Sequence, residues 1–296
     1  MATVARGFGA LRVYLEMIKF EHSIFALPFA MIGMLWGSIS VRQTAWPGWW
    51  AFSWIIVAMV SCRSAAMAFN RIADRDIDAQ NPRTKSRAIP AGILRLSQAT
   101  FFFIASCAIF FIAAAMLNRL TLLLSPVALG VTLLYSYTKR FTPLSHFILG
   151  LSLGIAPAAA WIGVTGTLSW SIIAVTAAVL FWTAGFDIIY SLQDVAFDKD
   201  HKLRSLPETI GVPNALLISR ICHALAVSFL VVAGFALNRG AIYFAGVIAT
   251  ALLLTYEQSL VKPNDLSKVN MAFFTLNGFV SIGVFAFALI DIAVKV

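Results

Sequence analysis

The sequence predicts an all-α integral membrane protein, with about nine transmembrane helices around a central cavity and the N-terminus in the cytoplasm. Three observations predict it. The 296-residue chain is 60% hydrophobic and only 12% charged, about half the charged fraction of an ordinary soluble domain. Apolar runs close to the roughly 20 residues needed to cross a bilayer recur along its whole length. Basic residues are concentrated in alternate connections between those runs. With a mean hydropathy of +0.86, the chain cannot present a solvated surface over most of its area. One transmembrane domain is expected over residues 1–296.

The apolar runs cover 22–40, 46–69, 97–117, 119–138 and 143–165, then 169–191, 214–237, 240–260 and 270–293. Arg6, Arg12 and Lys19 precede the first, and no small-residue cleavage site follows it. The run therefore reads as a retained helix, not a removed signal peptide. The fourth run almost abuts the third. The fifth holds Pro157, expected to kink it, and the pair Gly150 and Gly154, whose spacing lets a helix approach its neighbour closely. Phe101, Phe102 and Phe103 in the third run read as lipid-facing or core residues.

Orientation follows from the basic residues. Arg71, Arg75, Arg83, Lys85, Arg87 and Arg95 lie between runs two and three, and Lys139 and Arg140 follow run four. Lys199, Lys202, Arg204 and Arg220 surround the next connection on that side, and Lys262 and Lys268 the last. The other side carries only Arg42, Arg119, Arg239 and Lys295. Positively charged loops stay in the cytoplasm, so the expected location is the cell (inner or plasma) membrane with these loops inside. The same topology accounts for the pI of about 9.8, and no nucleic-acid partner is inferred from it. Cys62, Cys107 and Cys222 fall within apolar runs without paired spacing and read as ordinary buried thiols.

More than half of the 13 acids sit in two short segments. Asn70, Asp74 and Asp78 are spaced i, i+4, i+8, which on a helix places them on one face with a drift of about 40°. Asp76 points away beside Arg75 and reads as a surface acid. In the second segment Asp187, Tyr190, Asp194 and Asp198 share a face, with Asp200 off it. Asn70, Asp74 and Asp78 map onto Tyr190, Asp194 and Asp198 at one constant offset, and Arg87-Ala-Ile-Pro90 is answered by Arg204-Ser-Leu-Pro207. Four runs separate the segments, so both emerge on the same side. This is read as an internal pseudo-repeat, with motifs at 70–78 and 190–198 facing each other.

A solvated helix face is the plain alternative for either segment alone. Two at matching depth are harder to explain that way, because carboxylates one turn apart repel unless a cation compensates, and intramembrane acids are functional candidates by default. Oxygen ligands favour Mg²⁺ or Ca²⁺, and none of His22, His146, His201 and His223 has a partner at zinc-ligand spacing. Mg²⁺ bridges one or two carboxylates to substrate phosphates, and nearby Arg and Lys complement the remaining oxygens. The local chemistry therefore predicts a diphosphate with an apolar tail, held at the mouth of an apolar cavity.

Asn70-xxx-Asp74-xxx-Asp78 and Tyr190-xxx-Asp194-xxx-Asp198 resemble the two Asp-rich motifs of the UbiA superfamily of membrane prenyltransferases. The stretches Ile18–Pro28, Arg63–Asn70 and Tyr135–Phe141 resemble it as well, closest to the 4-hydroxybenzoate polyprenyltransferase and menaquinone-pathway branches. The resemblance covers nearly the whole chain. It departs where many members carry Asp directly after the first Asn and this chain has Arg71, which leaves Asp74 and Asp78 as the main ligands and Asn70 as an assisting one.

The resemblance implies Mg²⁺-dependent transfer of a polyprenyl group from polyprenyl diphosphate to an aromatic acid. The acceptor it favours is 4-hydroxybenzoate, for ubiquinone synthesis, with 1,4-dihydroxy-6-naphthoate, for menaquinone, as the alternative. Asn70, Asp74 and Asp78 are assigned to one Mg²⁺, and Asp194 and Asp198 to a second. Asp187 is expected to orient a basic residue or serve the acceptor, and Lys139, Arg140 and Lys202 to contact the diphosphate. Arg63 is either a clamp for the acceptor carboxylate or the structural partner of an acid on the sixth run. Tyr190 is either beside the carbocation or a packed, hydrogen-bonded residue. An ion-coupled transporter is the rival of a different class, although its acids usually lie near the midplane on interrupted helices.

Overall fold

The computed structural model describes residues 13–18 and 25–295. Arg6, Arg12, Lys19 and His22, which entered the reading above, lie outside the described residues, as does part of the Ile18–Pro28 stretch.

Helices account for most of the described chain, without a strand among the described residues. In chain order they are α1 (Leu27–Arg42), α2 (Trp49–Ala73), the short α3 (Arg75–Gln80), α4 (Leu96–Leu117) and α5 (Arg119–Thr138). Then come α6 (Ser145–Thr165), α7 (Trp170–Ser191), the short α8 (Val195–Asp200) and α9 (Leu206–Ile210), α10 (Val212–Ala236) and α11 (Ala241–Leu260). A π-helical turn, Met271–Leu276, leads into α12 (Asn277–Lys295). Eight described helices are long and apolar enough to cross a membrane. The first predicted run, 22–40, forms α1, which is only 16 residues long and falls short of a full hydrocarbon crossing of about 30 Å.

The apolar faces sort into two kinds. Within the spanning window of α7, 72% of residues are buried inside the protein, against 17% in α5. Helix α7 is thus the hub, packed between α6 and α10, while α5 gives most of its apolar surface to lipid. Helix α1 packs on α6, α2 on α4, and α12 on both α11 and α1, closing the bundle. The three phenylalanines divide: Phe101 is 74% exposed, whereas Phe102 and Phe103 pack beside Ala68 and Ala99.

Glycine sets the close approach of α6 to α7. A Cβ at Gly150 would strike the Leu180 carbonyl, and one at Gly154 would lie 2.7 Å from the Thr176 carbonyl oxygen. The small-residue spacing read from the sequence is therefore where two backbones meet. Cys62, Cys107 and Cys222 are free thiols.

Candidate active site

The two acidic segments do not continue their helices as the i, i+4, i+8 spacing predicted. Helix α2 ends at Ala73, and Asp74, with φ −98° and ψ 7°, begins α3. Helix α7 ends at Ser191, passes through a 3₁₀ turn at Leu192–Asp194, and Asp194, with φ −105° and ψ 3°, begins α8. Asp is favoured at a helix start because its carboxylate satisfies free N–H groups there. Neither Asp74 nor Asp194 makes that capping bond. Both side chains turn instead into a cavity of about 740 Å³.

Four of the carboxylates in that cavity, those of Asp74, Asp78, Asp194 and Asp198, meet a basic side chain, and a fifth, Asp187, meets a histidine. Asp74 accepts from Arg140 Nη2 at 3.1 Å and from Asn70 Nδ2 at 2.8 Å. Asp78 takes two bonds from Arg87 Nη1, at 2.7 and 2.8 Å. Asp194 holds Arg83 through Nε at 3.0 Å and Nη2 at 2.5 Å, with Asn81 Nδ2 at 3.4 Å. Asp198 pairs with Lys139 Nζ at 3.2 Å. Asp187 pairs with the fully buried His146 through Nδ1 at 2.7 Å. The backbone N–H of Leu206 reaches His146 Nε2 at 3.4 Å, which makes Nε2 the acceptor and leaves Nδ1 to donate.

Burial pushes the Asp74 carboxyl above its ordinary range, against the opposing pull of its Arg140 bond. For Arg83 burial acts the other way, but the bond and charge of Asp194 outweigh it and hold the guanidinium up.

Arg63, Asn70, Asp74, Asp78, Lys139, Arg140, Asp187, Tyr190, Asp194 and Asp198 all line the cavity. Lys202 does not; it is exposed, with φ at 56°. Asp76 is 80% exposed beside Arg75, in keeping with its reading as a surface acid. Arg71 is buried and donates to Asn70 Oδ1 at 3.0 Å, so Asn70 would have to release Arg71 to offer that oxygen to a metal.

Sequence reasoning left Arg83, Arg87 and His146 without roles. The arginines were visible only as charge in a basic loop. His146 gave no signal because 41 residues separate it from Asp187.

The donor set fits a hard divalent cation. Among the described residues no three His, Cys, Asp or Glu side chains cluster tightly enough to hold a metal alone. Any ion would take one or two carboxylates and complete its shell with phosphate oxygens and water, as Mg²⁺ does. The four basic side chains now paired with those carboxylates are of the kind that binds phosphate oxygens.

A bundle of membrane-spanning helices with this acid- and base-lined cavity between the ends of two broken helices defines an integral membrane protein with a polar site at one end. The profile of the UbiA prenyltransferase family matches residues 30–280, and the chain belongs to that family. It is 26% identical to a 4-hydroxybenzoate octaprenyltransferase of Vibrio atlanticus, over 84% of this chain and 89% of the relative. It is 29% identical to the Burkholderia mallei protein of the same name, over 86% and 87%. Among solved structures, a UbiA homolog from Aeropyrum pernix superposes with a TM-score of 0.82 at 36% identity, covering 92% of this chain and 98% of that one. A UbiA homolog from Archaeoglobus fulgidus, solved with GPP and Mg²⁺, shares the fold at a TM-score of 0.75 and 19% identity, over 95% and 99%. As a member of that family, the chain is an enzyme, a prenyltransferase.

Proposed function

We propose that this enzyme transfers a polyprenyl group from polyprenyl diphosphate to 4-hydroxybenzoate, in a Mg²⁺-dependent reaction of quinone biosynthesis. The observation that carries the reading is the single cavity in which Asp74, Asp78, Asp194 and Asp198 each face a basic partner. Support for the acceptor comes from the relatives' names.

Asp74 and Asp78, assisted by Asn70, would hold one Mg²⁺, and Asp194 and Asp198 a second. When bound, the metal supplies charge stabilisation to the departing diphosphate. With their carboxylates occupied by metal, Arg83, Arg87, Lys139 and Arg140 would be available to the phosphate oxygens. The C–O bond of the allylic diphosphate breaks with its electron pair leaving on oxygen. The aromatic ring attacks the allylic carbon and then loses a proton. Arg63 clamps the acceptor carboxylate, Asp187 faces the acceptor, and Tyr190 presents its ring to the cationic carbon. The apolar walls keep water from that carbon. The basic loops at 83–95 and 199–204 support a cytoplasmic position for the site, because positively charged loops stay on that side.

The test is incubation of purified protein with Mg²⁺, a prenyl diphosphate and each acceptor, with products identified by mass spectrometry. Prenylated 4-hydroxybenzoate is expected. Product only with 1,4-dihydroxy-6-naphthoate would move the enzyme to menaquinone synthesis, and no product with any acceptor from folded protein would overturn the reading.

A further inference from the structure

The last membrane helix begins abnormally. Residues Met271–Leu276 form a π-helical turn, and Asn277 opens α12 directly after it. Short π segments recur at functional sites, and this one carries Phe273 and Phe274 into the lining of the cavity. Phe273 stacks on Tyr190 with ring centroids 4.0 Å apart. It meets Phe186 edge-on at 5.3 Å.

Fully buried Asn277 holds this turn from behind. Its Oδ1 accepts from Trp182 Nε1 at 2.6 Å, and its Nδ2 donates to Glu257 Oε1 at 3.1 Å. The indole nitrogen only donates, so the amide oxygen must face Trp182 and the nitrogen Glu257. The same Nδ2 reaches the Ala272 and Phe273 carbonyls at 3.0 and 3.2 Å, two acceptors within the π turn. Glu257 is itself completely buried in α11, and an intramembrane acid with no part in the diphosphate site calls for another purpose. From Tyr190 the path continues outward: Arg83 Nη1 donates to its hydroxyl at 3.1 Å, and the same guanidinium holds Asp194.

We infer that Asn277, clamped between Trp182 and Glu257, is a positioning residue that fixes the π turn so that Phe273 and Tyr190 form the wall reading the prenyl chain. The inference rests on the proposed function, because it takes that wall to face a prenyl diphosphate. Glu257 serves as an acceptor for the amide, so its shape matters and its charge does not.

The test compares kcat and KM for a short and a long prenyl diphosphate in wild type, Asn277→Leu, Phe273→Ala, the double variant and Glu257→Gln. Asn277→Leu should raise KM for the preferred chain about tenfold, the scale of coupling between packed neighbours, and flatten the preference between the two lengths. KM for the acceptor should not move. The double variant should be no worse than Phe273→Ala alone, and Glu257→Gln, which keeps an acceptor oxygen, should keep the wild-type preference. Asn277→Leu bearing the wild-type length preference, or effects of the two substitutions that simply add, would overturn the inference while leaving the proposed function standing. Should Asn277→Leu fail to fold, Trp182→Phe removes one clamp with the ring retained, and it must flatten the preference in the same direction. Wild-type protein that neither binds nor turns over any prenyl diphosphate would overturn both readings together.

Discussion

The two acidic segments share a backbone and differ in who neutralises them. Asp74 and Asp194 have nearly the same φ and ψ, each starts a six-residue helix, and each is followed four residues later by a buried acid, Asp78 or Asp198. The cations come from different places. Asp78 is held by Arg87 from its own loop, whereas Asp194 is held by Arg83, which crosses from the loop of the first segment. Lys139 and Arg140, adjacent at the end of α5, divide between Asp198 and Asp74. The first segment can neutralise part of its own charge, while the second depends on residues more than fifty positions away. Placing the partners outside the second segment ties the two halves of the cavity together before any ligand arrives.

Removing a carboxylate from either segment should have the largest effect. Asp74→Ala and Asp194→Ala should each lower kcat on the order of a hundredfold to a thousandfold, the cost of losing one preorganised charge-stabilising group, in protein that still inserts and folds. Near-wild-type turnover of either variant would break the equivalence of the two segments.

Breaking the crossing pair comes next. Arg83→Ala leaves Asp194 buried without its cation and should destabilise the metal-free protein by about 2 kcal/mol, discounted from the fully buried case because Arg83 is partly exposed. Thermal unfolding in detergent would measure it, and added Mg²⁺ should restore most of the loss. If Mg²⁺ gave no protection, Asp194 would not be a metal site.

The pH dependence of metal use gives a smaller effect. Burial holds the Asp74 carboxyl high and Arg140 pulls it down. A carboxyl must lose its proton to bind metal, so acidification should raise the Mg²⁺ concentration needed for half-maximal activity. Arg140→Ala removes the downward pull, so the acid limb should move to higher pH. An unmoved limb would show that a different group controls it.

The smallest effect belongs to Lys202, which lies outside the cavity. Lys202→Ala should leave kcat and KM within about twofold of wild type, as surface substitutions usually do. A tenfold loss would mean that the loop carrying it closes over the substrate.

Much of this was legible in the chain. The apolar runs located each long helix to within a few residues, because a bilayer demands a continuous hydrophobic length and tolerates few charges in it. The constant offset between Asn70, Asp74, Asp78 and Tyr190, Asp194, Asp198 identified the residues that line one cavity. It misjudged how they get there. Periodicity assumes an unbroken helix, and at Asp74 and Asp194 the helix breaks without Gly or Pro to mark it.

What the sequence determined by itself was therefore the membrane class, the helix order and the two acidic segments, all of which follow from local hydrophobicity and spacing. Tertiary structure alone decided the pairings: Arg83 with Asp194, His146 with Asp187, and Asn277 between Trp182 and Glu257. Each joins residues on different elements, far apart in the chain. A contact made across a bundle leaves no periodic trace in the chain, because it is fixed by how whole helices pack and not by the neighbours of either residue.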